Sequence, residues 1–266
     1  MVIHSSSQHP TEIQHKVADA LGLPMHAVRV EVRRMGGGFG GKESQGNRLA
    51  IACALMAART GRPCKLRYDR DDDFLVTGKR HDARITYRAG FDRDGKLLGA
   101  DFEQFIRCGW AMDLSLPVAD RAMLHADNAY LMPHARITSH RLKTNTQSAT
   151  AFRGFGGPQG MVGVERMMDH AAVQLGMDPL ALRRLNFYRE APVAPSDASG
   201  GDISNQWKGG RLDQADLAGR GAVKVASGSG RAARFGGAHS PDGASDGNTT
   251  PYGMEVEDFI LHALTR

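Results

Sequence analysis

The chain opens with two contrasting patterns of hydrophobic and polar residues. At positions 28–32 valine alternates with charged residues, the period of two that is typical of a strand with one buried face. Residues 43–60 are rich in Ala, Leu and Met and precede Gly61 and Pro63, which predicts a helix that stops there. A glycine-rich stretch at 36–41 joins this strand to this helix.

The same kind of pattern predicts a helix before the strand and a second strand after the helix. Apolar residues at helical spacing predict a helix at 10–21 that Gly22 ends. Thr11 is expected to cap its first turn, with Gln14 reaching back. A further strand is predicted at 64–69.

A hairpin signal follows. Extended runs at 84–91 and 97–108 flank Asp94-Gly95, and Asp-Gly between two such runs strongly favours a β-hairpin. An antiparallel element is therefore mixed into the α/β beginning.

The following pattern predicts a short helix or loop at 117–124, a strand at 135–143 and a helix at 159–175. Asp178 and Pro179 then open another helix as N-cap and first-turn residues. The predicted buried side chains of the 159–175 helix are Met161, Val164, Met167, Met168, Ala171 and Leu175. The order of elements predicts an α/β fold of the mixed α+β kind for residues 1–188.

The character of the sequence changes after this region. Residues 189–248 are dominated by Gly, Ala, Ser, Asp and Arg, and their few apolar residues follow neither helical nor strand spacing. This composition predicts disorder. Residues 249–266 contain an amphipathic stretch that predicts a helix continuing the domain.

Composition excludes several classes of protein. The 266-residue chain is 41% hydrophobic, but it has no long apolar run and no signal-peptide pattern, so we expect a cytoplasmic protein that does not insert into a membrane. Its three cysteines are far apart, which argues for buried, reduced thiols and against disulfides, zinc or an iron–sulfur cluster in this chain. The net charge of +5 is diffuse and interrupted by acidic residues, so no nucleic-acid partner is expected.

The glycine stretch allows three interpretations. Gly36-x-Gly38-x-x-Gly41 satisfies a dinucleotide fingerprint, with Asp69 as the acidic residue that would meet a ribose. With Lys42 it nearly makes a phosphate loop, although Glu43 stands where a hydroxyl should hold Mg²⁺. It could also be a turn that only joins a strand to a helix.

A second glycine-aromatic stretch, AFRGFGGPQ at 151–159, also lies between a predicted strand and a predicted helix. Two such loops can converge on one ligand. Together with GGGFGGKE at 36–43 and the sequence between them, it resembles the large, molybdenum-binding subunit of the xanthine dehydrogenase family of molybdenum hydroxylases. The resemblance covers residues 1–188 and resumes at 250–258.

This resemblance implies a molybdenum-molybdopterin cofactor and the hydroxylation of hypoxanthine and xanthine towards urate. FAD and 2Fe-2S clusters would lie on a partner subunit, so the full enzyme would be a hetero-oligomer. The resemblance places the main chains of Phe39 and Arg153 at the molybdenum centre, with Gly38 and Gly40 in the cofactor-binding loop.

The resemblance also assigns the purine-binding side chains. It places Glu43 and Arg121 at opposite ends of a bound purine and Phe155 against its ring face. A carboxylate can share a proton with a purine N–H, and a guanidinium can stabilise negative charge that develops on the ring.

One expected element of the family is missing. The resemblance assigns the catalytic general base to a glutamate in a Gly-x-Gly-Glu segment, and this sequence contains no such segment. The chain is therefore expected to be a fragment of the molybdenum-cofactor-binding domain that is inactive alone and holds no catalytic residue. The alternative is a nucleotide-binding module that uses the Gly36 to Lys42 loop.

Overall fold

A computed structural model describes residues 1–188 and the backbone of Val223–Ala226. The chain folds into two units whose segments alternate along the sequence. The first unit contains Met1–Ala83, Phe105–Arg121 and His140–Gly156, and the second contains Arg84–Gln104, Ala122–Ser139 and Gly157–Arg266. The predicted α/β fold of mixed α+β kind is confirmed.

Helices and strands follow one another without a repeating order. They are β1 (Val2–His4), α1 (Pro10–Leu21), a 3₁₀ turn (Met25–Ala27), β2 (Arg29–Glu31), α2 (Asn47–Thr60), α3 (Arg70–Val76), β3 (Ala83–Phe91), β4 (Leu97–Gly109), α4 (Ser115–Leu124), β5 (Ala135–Lys143), α5 (Gly157–Leu175), α6 (Pro179–Asn186) and β6 (Val223–Ala226).

The first unit begins with two parallel strands joined by a helix. β1 pairs with β2 in a register that places Ile3 opposite Val30. The apolar face of α1 packs against these strands and against α2, which gives each element a buried side. The buried residues of this core are Ile3, Ile13, Val17, Ala18, Val28, Ala50 and Ala54.

The predicted cap of α1 is wrong, although both ends of the helix are confirmed. Because Pro10 occupies the first helical position, the N-cap is His9 and not Thr11. The side chain of His9 makes no capping bond. The amide of Gln14 instead donates to the main-chain oxygen of Val28 at 2.7 Å. Gly22 ends the helix in the left-handed conformation with φ of 64°.

Two predictions after the glycine stretch are also wrong. α2 begins at Asn47 rather than at residue 43, because the intervening residues form turns. Residues 64–69 form no strand and are largely exposed, so nothing buries one face of them. All three cysteines are free thiols, but the prediction that they are buried holds only for Cys108, because Cys53 is half-buried and Cys64 is exposed.

The predicted hairpin is present. β3 and β4 are neighbours in a sheet of order β5-β4-β3-β6, and they are joined by a tight turn in which the Gly95 N–H donates to the Asp92 oxygen at 3.2 Å. The backbone of β6 pairs antiparallel with β3, so the disorder predicted for 189–248 does not hold for those four residues. The rest of that segment and the helix predicted within 249–266 lie outside the described residues.

The second unit has its own core, in which α5 packs on β3 and β4. Four of the predicted buried residues of α5 are buried: Val164, Met167, Met168 and Ala171. Met161 is 37% exposed, so its predicted burial is wrong, and the buried positions in the first turns of α5 are Gly157, Gly160 and Gly163. Asp178 caps α6 as predicted and accepts from the Ala181 N–H at 2.9 Å.

None of the helices in the described part of the chain combines the length and the apolar character that a membrane crossing needs.

Candidate functional site

The first glycine loop, residues 35–43, has an irregular backbone that is fixed at both ends. The ammonium of Lys42 donates to the main-chain oxygen of Met35, which closes the loop on itself. The main chain of Lys42 is held in turn, because its oxygen accepts from the Gln8 N–H at 3.2 Å and from Ser7 Oγ at 2.8 Å. Lys42 is therefore engaged inside the loop, whereas the lysine of a phosphate loop reaches the phosphates.

The second glycine loop, residues 151–157, touches the first at Gly40. Gly40 has a φ of 91°, which side chains rarely tolerate, and a Cβ atom there would lie 2.4 Å from the Ala151 oxygen. The two loops also meet through side chains, since the Arg153 guanidinium carbon lies 5.9 Å from the centre of the Phe39 ring. Two stretches far apart in sequence thus form one surface.

The residues at the centre of this surface are exposed. Phe39 is 67% exposed and Arg153 is exposed as well. Within residues 1–188, the main-chain N–H groups of Phe39 and Arg153 have no hydrogen-bond acceptor. Unpaired N–H groups of exposed residues on neighbouring loops suit an anionic or oxygen-rich ligand.

The second loop keeps its shape through a local hydrogen bond. Phe155 has a φ of 47°, an uncommon value for a residue with a side chain, and its N–H donates to the Phe152 oxygen at 2.7 Å. The ring of Phe155 is half-buried, whereas that of Phe152 is exposed.

Glu43 is held beside the first loop by Gln8. The Gln8 side-chain amide donates to Glu43 Oε1 at 2.8 Å, and its oxygen accepts from the Gly40 N–H at 3.2 Å. Partial burial raises the pKa of the Glu43 carboxyl, and the negative charges of Glu12 and Asp113 also raise it, while His9 lowers it. Glu43 is thus suited to share a proton with a ligand.

A polar network around Asp113 connects the two loops. Asp113 adopts a positive φ of 43° and accepts from Ser44 Oγ at 3.0 Å and from the Gln45 amide at 2.7 Å. Ser44 Oγ lies 3.2 Å from Thr150 Oγ1, next to the second loop. These bonds explain why the polar residues after Glu43 form turns and do not extend α2.

The structure brings together the predicted cofactor residues Gly38, Phe39, Gly40 and Arg153 in the two touching loops. Arg121 lies on a separate element, in the last turn of α4, with its side chain exposed.

The sequence prediction missed Gln8 and Asp113. Gln8 follows a run of serines in a segment without hydrophobic periodicity, and Asp113 lies in a short connection. The loop motif itself does not indicate that Gln8 contacts both Gly40 and Glu43.

The described residues lack the second strand that the dinucleotide-binding interpretation requires. The strand expected at 64–69 is absent, and Asp69 is the N-cap of α3, where its carboxylate accepts from the Asp72 N–H at 2.8 Å. That carboxylate is therefore used in a cap.

The residues that the structure describes include no group of three or more His, Cys, Asp or Glu side chains that could hold a metal ion.

Residues 1–187 match the family of the molybdopterin cofactor-binding domain. The chain belongs to this family.

Relatives of this molybdopterin-binding domain include a xanthine dehydrogenase and a xanthine dehydrogenase/oxidase. The chain is 47% identical over 184 residues to the xanthine dehydrogenase of Drosophila subobscura, with 69% of this chain and 14% of that protein covered. It is 43% identical over 193 residues to the xanthine dehydrogenase/oxidase of Felis catus, with 73% of this chain and 14% of that protein covered. The chain therefore spans 14% of the length of these relatives.

Solved structures of two oxidoreductases share the fold of this molybdopterin-binding domain. The aldehyde oxidoreductase from Desulfovibrio gigas aligns with a TM-score of 0.63 and 33% identity, covering 71% of this chain and 20% of that chain. Quinoline 2-oxidoreductase from Pseudomonas putida 86 aligns with a TM-score of 0.61 and 27% identity, covering 71% of this chain and 24% of that chain. The named relatives and structural neighbours are thus all oxidoreductases.

Proposed function

We propose that this chain forms part of the molybdenum cofactor and substrate site of a xanthine dehydrogenase that hydroxylates hypoxanthine and xanthine towards urate. The observation that carries the proposal is the contact of Gly40 with Ala151, which joins the two glycine loops in a chain 47% identical to a xanthine dehydrogenase. Glycine at this position permits a main-chain approach that a Cβ atom would block.

The loop surface fits a molybdenum-molybdopterin cofactor. The unpaired N–H groups of Phe39 and Arg153 can donate to oxygen atoms of the cofactor, and Gly38 and Gly40 flank Phe39 in the loop that would hold it. When bound, this cofactor supplies the redox centre for oxygen transfer to the substrate carbon. The chain's own contribution is to hold and orient the cofactor.

The remaining predicted residues would orient the purine. Glu43, with its raised pKa, can donate or accept a proton at one end of the ring, and Arg121 can stabilise negative charge at the other. The half-buried ring of Phe155 would exclude water from one face.

The proposal includes partners. Within the described residues the free thiols Cys53, Cys64 and Cys108 belong to no cluster of metal-binding groups. Electrons would therefore leave through 2Fe-2S clusters and FAD held on a partner subunit of a hetero-oligomer. Free thiols also support a location in the reducing cytoplasm.

The experiment that tests this function uses the complete enzyme that contains these residues. Glu43→Ala and Arg121→Ala should each lower the turnover of hypoxanthine and xanthine, because each removes a polar contact to the transition state that is worth roughly 2 to 4 kcal/mol. The matched controls are Glu103→Ala and Arg84→Ala, whose side chains are exposed on strands of the second unit.

Steady-state assays with both purines and with an aldehyde would separate the outcomes. Loss of purine turnover in both site variants, together with retained or increased aldehyde oxidation, supports the assignment. Unchanged purine turnover in both site variants would contradict it.

A further inference from the structure

The segment that precedes β3 holds the second glycine loop by its main chain. The Thr150 N–H donates to the Lys79 oxygen at 2.9 Å. Gly78 lies so close to the loop that a Cβ atom would be 2.3 Å from the Ser148 oxygen, so a larger residue there would push the two segments apart. Residues 78–80 therefore serve as a support for the loop from its N-terminal side.

Arg80 extends this support to the centre of the loop. Its Nη2 atom donates to the main-chain oxygen of Arg153 at 2.7 Å, and its guanidinium carbon lies 4.5 Å from the centre of the Phe152 ring. A planar guanidinium can donate along its edge and stack with its face at the same time, which the ammonium of lysine cannot do. One side chain thus constrains two consecutive loop residues.

The arrangement carries a cost that packing alone does not explain. Nη1 of Arg80 is buried and has no hydrogen-bond partner among the described residues. A buried unpaired donor on a charged group destabilises the folded state. Arg80 therefore holds the second loop while one of its own nitrogen atoms stays unpaired.

Fixing Arg153 also affects the contact between the loops. Its side chain lies over the Phe39 ring, 5.9 Å from the ring centre, so the position of the Arg153 backbone influences both loops. The contacts of Arg80 described above are with Arg153 and Phe152 of the second loop, so its influence on the first loop passes through these two residues.

We propose that Arg80 is a positioning residue that fixes the Phe152–Arg153 backbone, the part of the second loop whose main chain meets the cofactor. This role rests on the proposed function for its catalytic consequence, but the constraint on the loop can be measured without any cofactor. In this proposal Arg80 contacts the second loop, which binds the cofactor, but it touches neither the substrate nor the cofactor.

Amide hydrogen exchange of the chain tests the constraint. The reporter is the Phe155 N–H, which is protected by its bond to the Phe152 oxygen. Arg80→Met should accelerate its exchange about tenfold or more, because a local opening that loses roughly 1.4 kcal/mol of protection exchanges ten times faster. Arg80→Lys keeps a donor but loses the flat stacked face, so its exchange should be intermediate.

The matched control is Arg62→Met, which removes an exposed arginine of the same unit. Exchange in α1 should be the same in all variants. Faster exchange at Phe155 alone supports the constraint. Unchanged exchange at Phe155 in Arg80→Met, or an equal acceleration in α1, would overturn it, and if that variant does not fold, Arg80→Lys decides by the same criterion.

The holoenzyme that contains this chain tests the consequence. Arg80→Met should lower kcat for xanthine at least about tenfold with little change in KM, and Arg80→Lys should recover part of the loss. A kcat equal to that of the wild type would overturn the positioning role even if exchange had changed. A wild-type holoenzyme that carries no molybdenum would instead overturn the proposed function, while the exchange result would still stand for the loop.

Discussion

At the scale of single residues, His81 shows how burial sets the charge of a side chain near the loops. It is 2% exposed, and its Nε2 atom lies 2.8 Å from Ser115 Oγ. Burial and, less strongly, the positive charge of Arg107 lower the pKa of His81 from 6.5 to about 4, although the charge of Asp82 and a backbone hydrogen bond with Thr150 oppose this. The imidazole is therefore neutral in the folded chain at neutral pH.

This lowered pKa predicts a pH-dependent stability. Between pH 6.5 and about 4 the unfolded chain binds a proton that folded His81 does not, so the stabilisation is complete above pH 6.5 and is lost as the pH falls. Wild type should lose on the order of 2 kcal/mol more unfolding free energy between pH 7 and pH 4.5 than His81→Gln does.

Urea unfolding followed by circular dichroism at the two pH values measures this difference. Glutamine is chosen because it does not titrate and can still hydrogen-bond Ser115. The control is His15→Gln on the exposed side of α1, which should follow the wild type. Equal pH dependence in wild type and His81→Gln would show that folding does not lower the pKa of His81.

Residue-scale prediction from the sequence succeeded where a motif carried the signal. The glycine and aromatic residues of both loops were found because their order is distinctive, and the structure brings the two loops into contact at Gly40 and Ala151. Gln8, Asp113 and Arg80 were missed because a single polar residue has no pattern, and its partner is decided by the folded chain.

At the scale of elements, the N-terminal half of α5 packs unusually closely on its neighbour. A Cβ atom at Gly160 would lie 2.2 Å from the Ala122 oxygen, whereas one at Gly163 would meet the Ile85 side chain at 3.0 Å. The Ala122 oxygen is also held in place, because it accepts from the buried amide of Gln104 at 3.3 Å. Glycine at position 160 allows this approach.

Gly160→Ala should therefore destabilise the chain although alanine favours helix. Overpacking against a fixed carbonyl costs about 1 to 3 kcal/mol, and the gain in helix propensity is at most about 1 kcal/mol. Gly163→Ala should cost less, because an isoleucine side chain can adjust. The measurement is the urea midpoint of both variants, with Val162→Ala as an exposed control on the same helix. A Gly160→Ala variant at least as stable as Gly163→Ala would contradict this packing.

Elements were predictable from the sequence where local signals agreed. α1, the β3–β4 hairpin and α6 were predicted because periodicity coincides with glycine, Asp-Gly or Asp-Pro boundaries. Residues 64–69 misled because their alternation resembles a strand, yet no neighbouring strand pairs with them. α2 started late because Ser44 and Gln45 bond to Asp113, which local sequence does not reveal.

At the scale of the whole molecule, the chain should not hydroxylate purines alone. Its sequence contains no Gly-x-Gly-Glu segment, to which the resemblance assigns the general base, and the loss of a general base costs about 10² to 10⁴-fold in rate. We expect the purified chain to hold little molybdenum and to form no urate. Metal analysis and a xanthine assay with an artificial electron acceptor measure both, with the complete enzyme as the positive control. Stoichiometric molybdenum with urate formation would show that a residue in this chain replaces the glutamate.

The alternation of the two units along the sequence restricts how the protein can be made and divided. The first unit is complete only when Gly156 has been synthesised. The first segment of the second unit, Arg84–Gln104, is synthesised before that point. During synthesis, the hairpin of the second unit must wait for α5 before its apolar face is covered, while the first glycine loop waits for the second. No single cut in the gene separates the units, so neither unit can be produced as one continuous piece of the chain. An insertion into the 105–121 segment of the first unit would also lengthen the connection between two segments of the second unit.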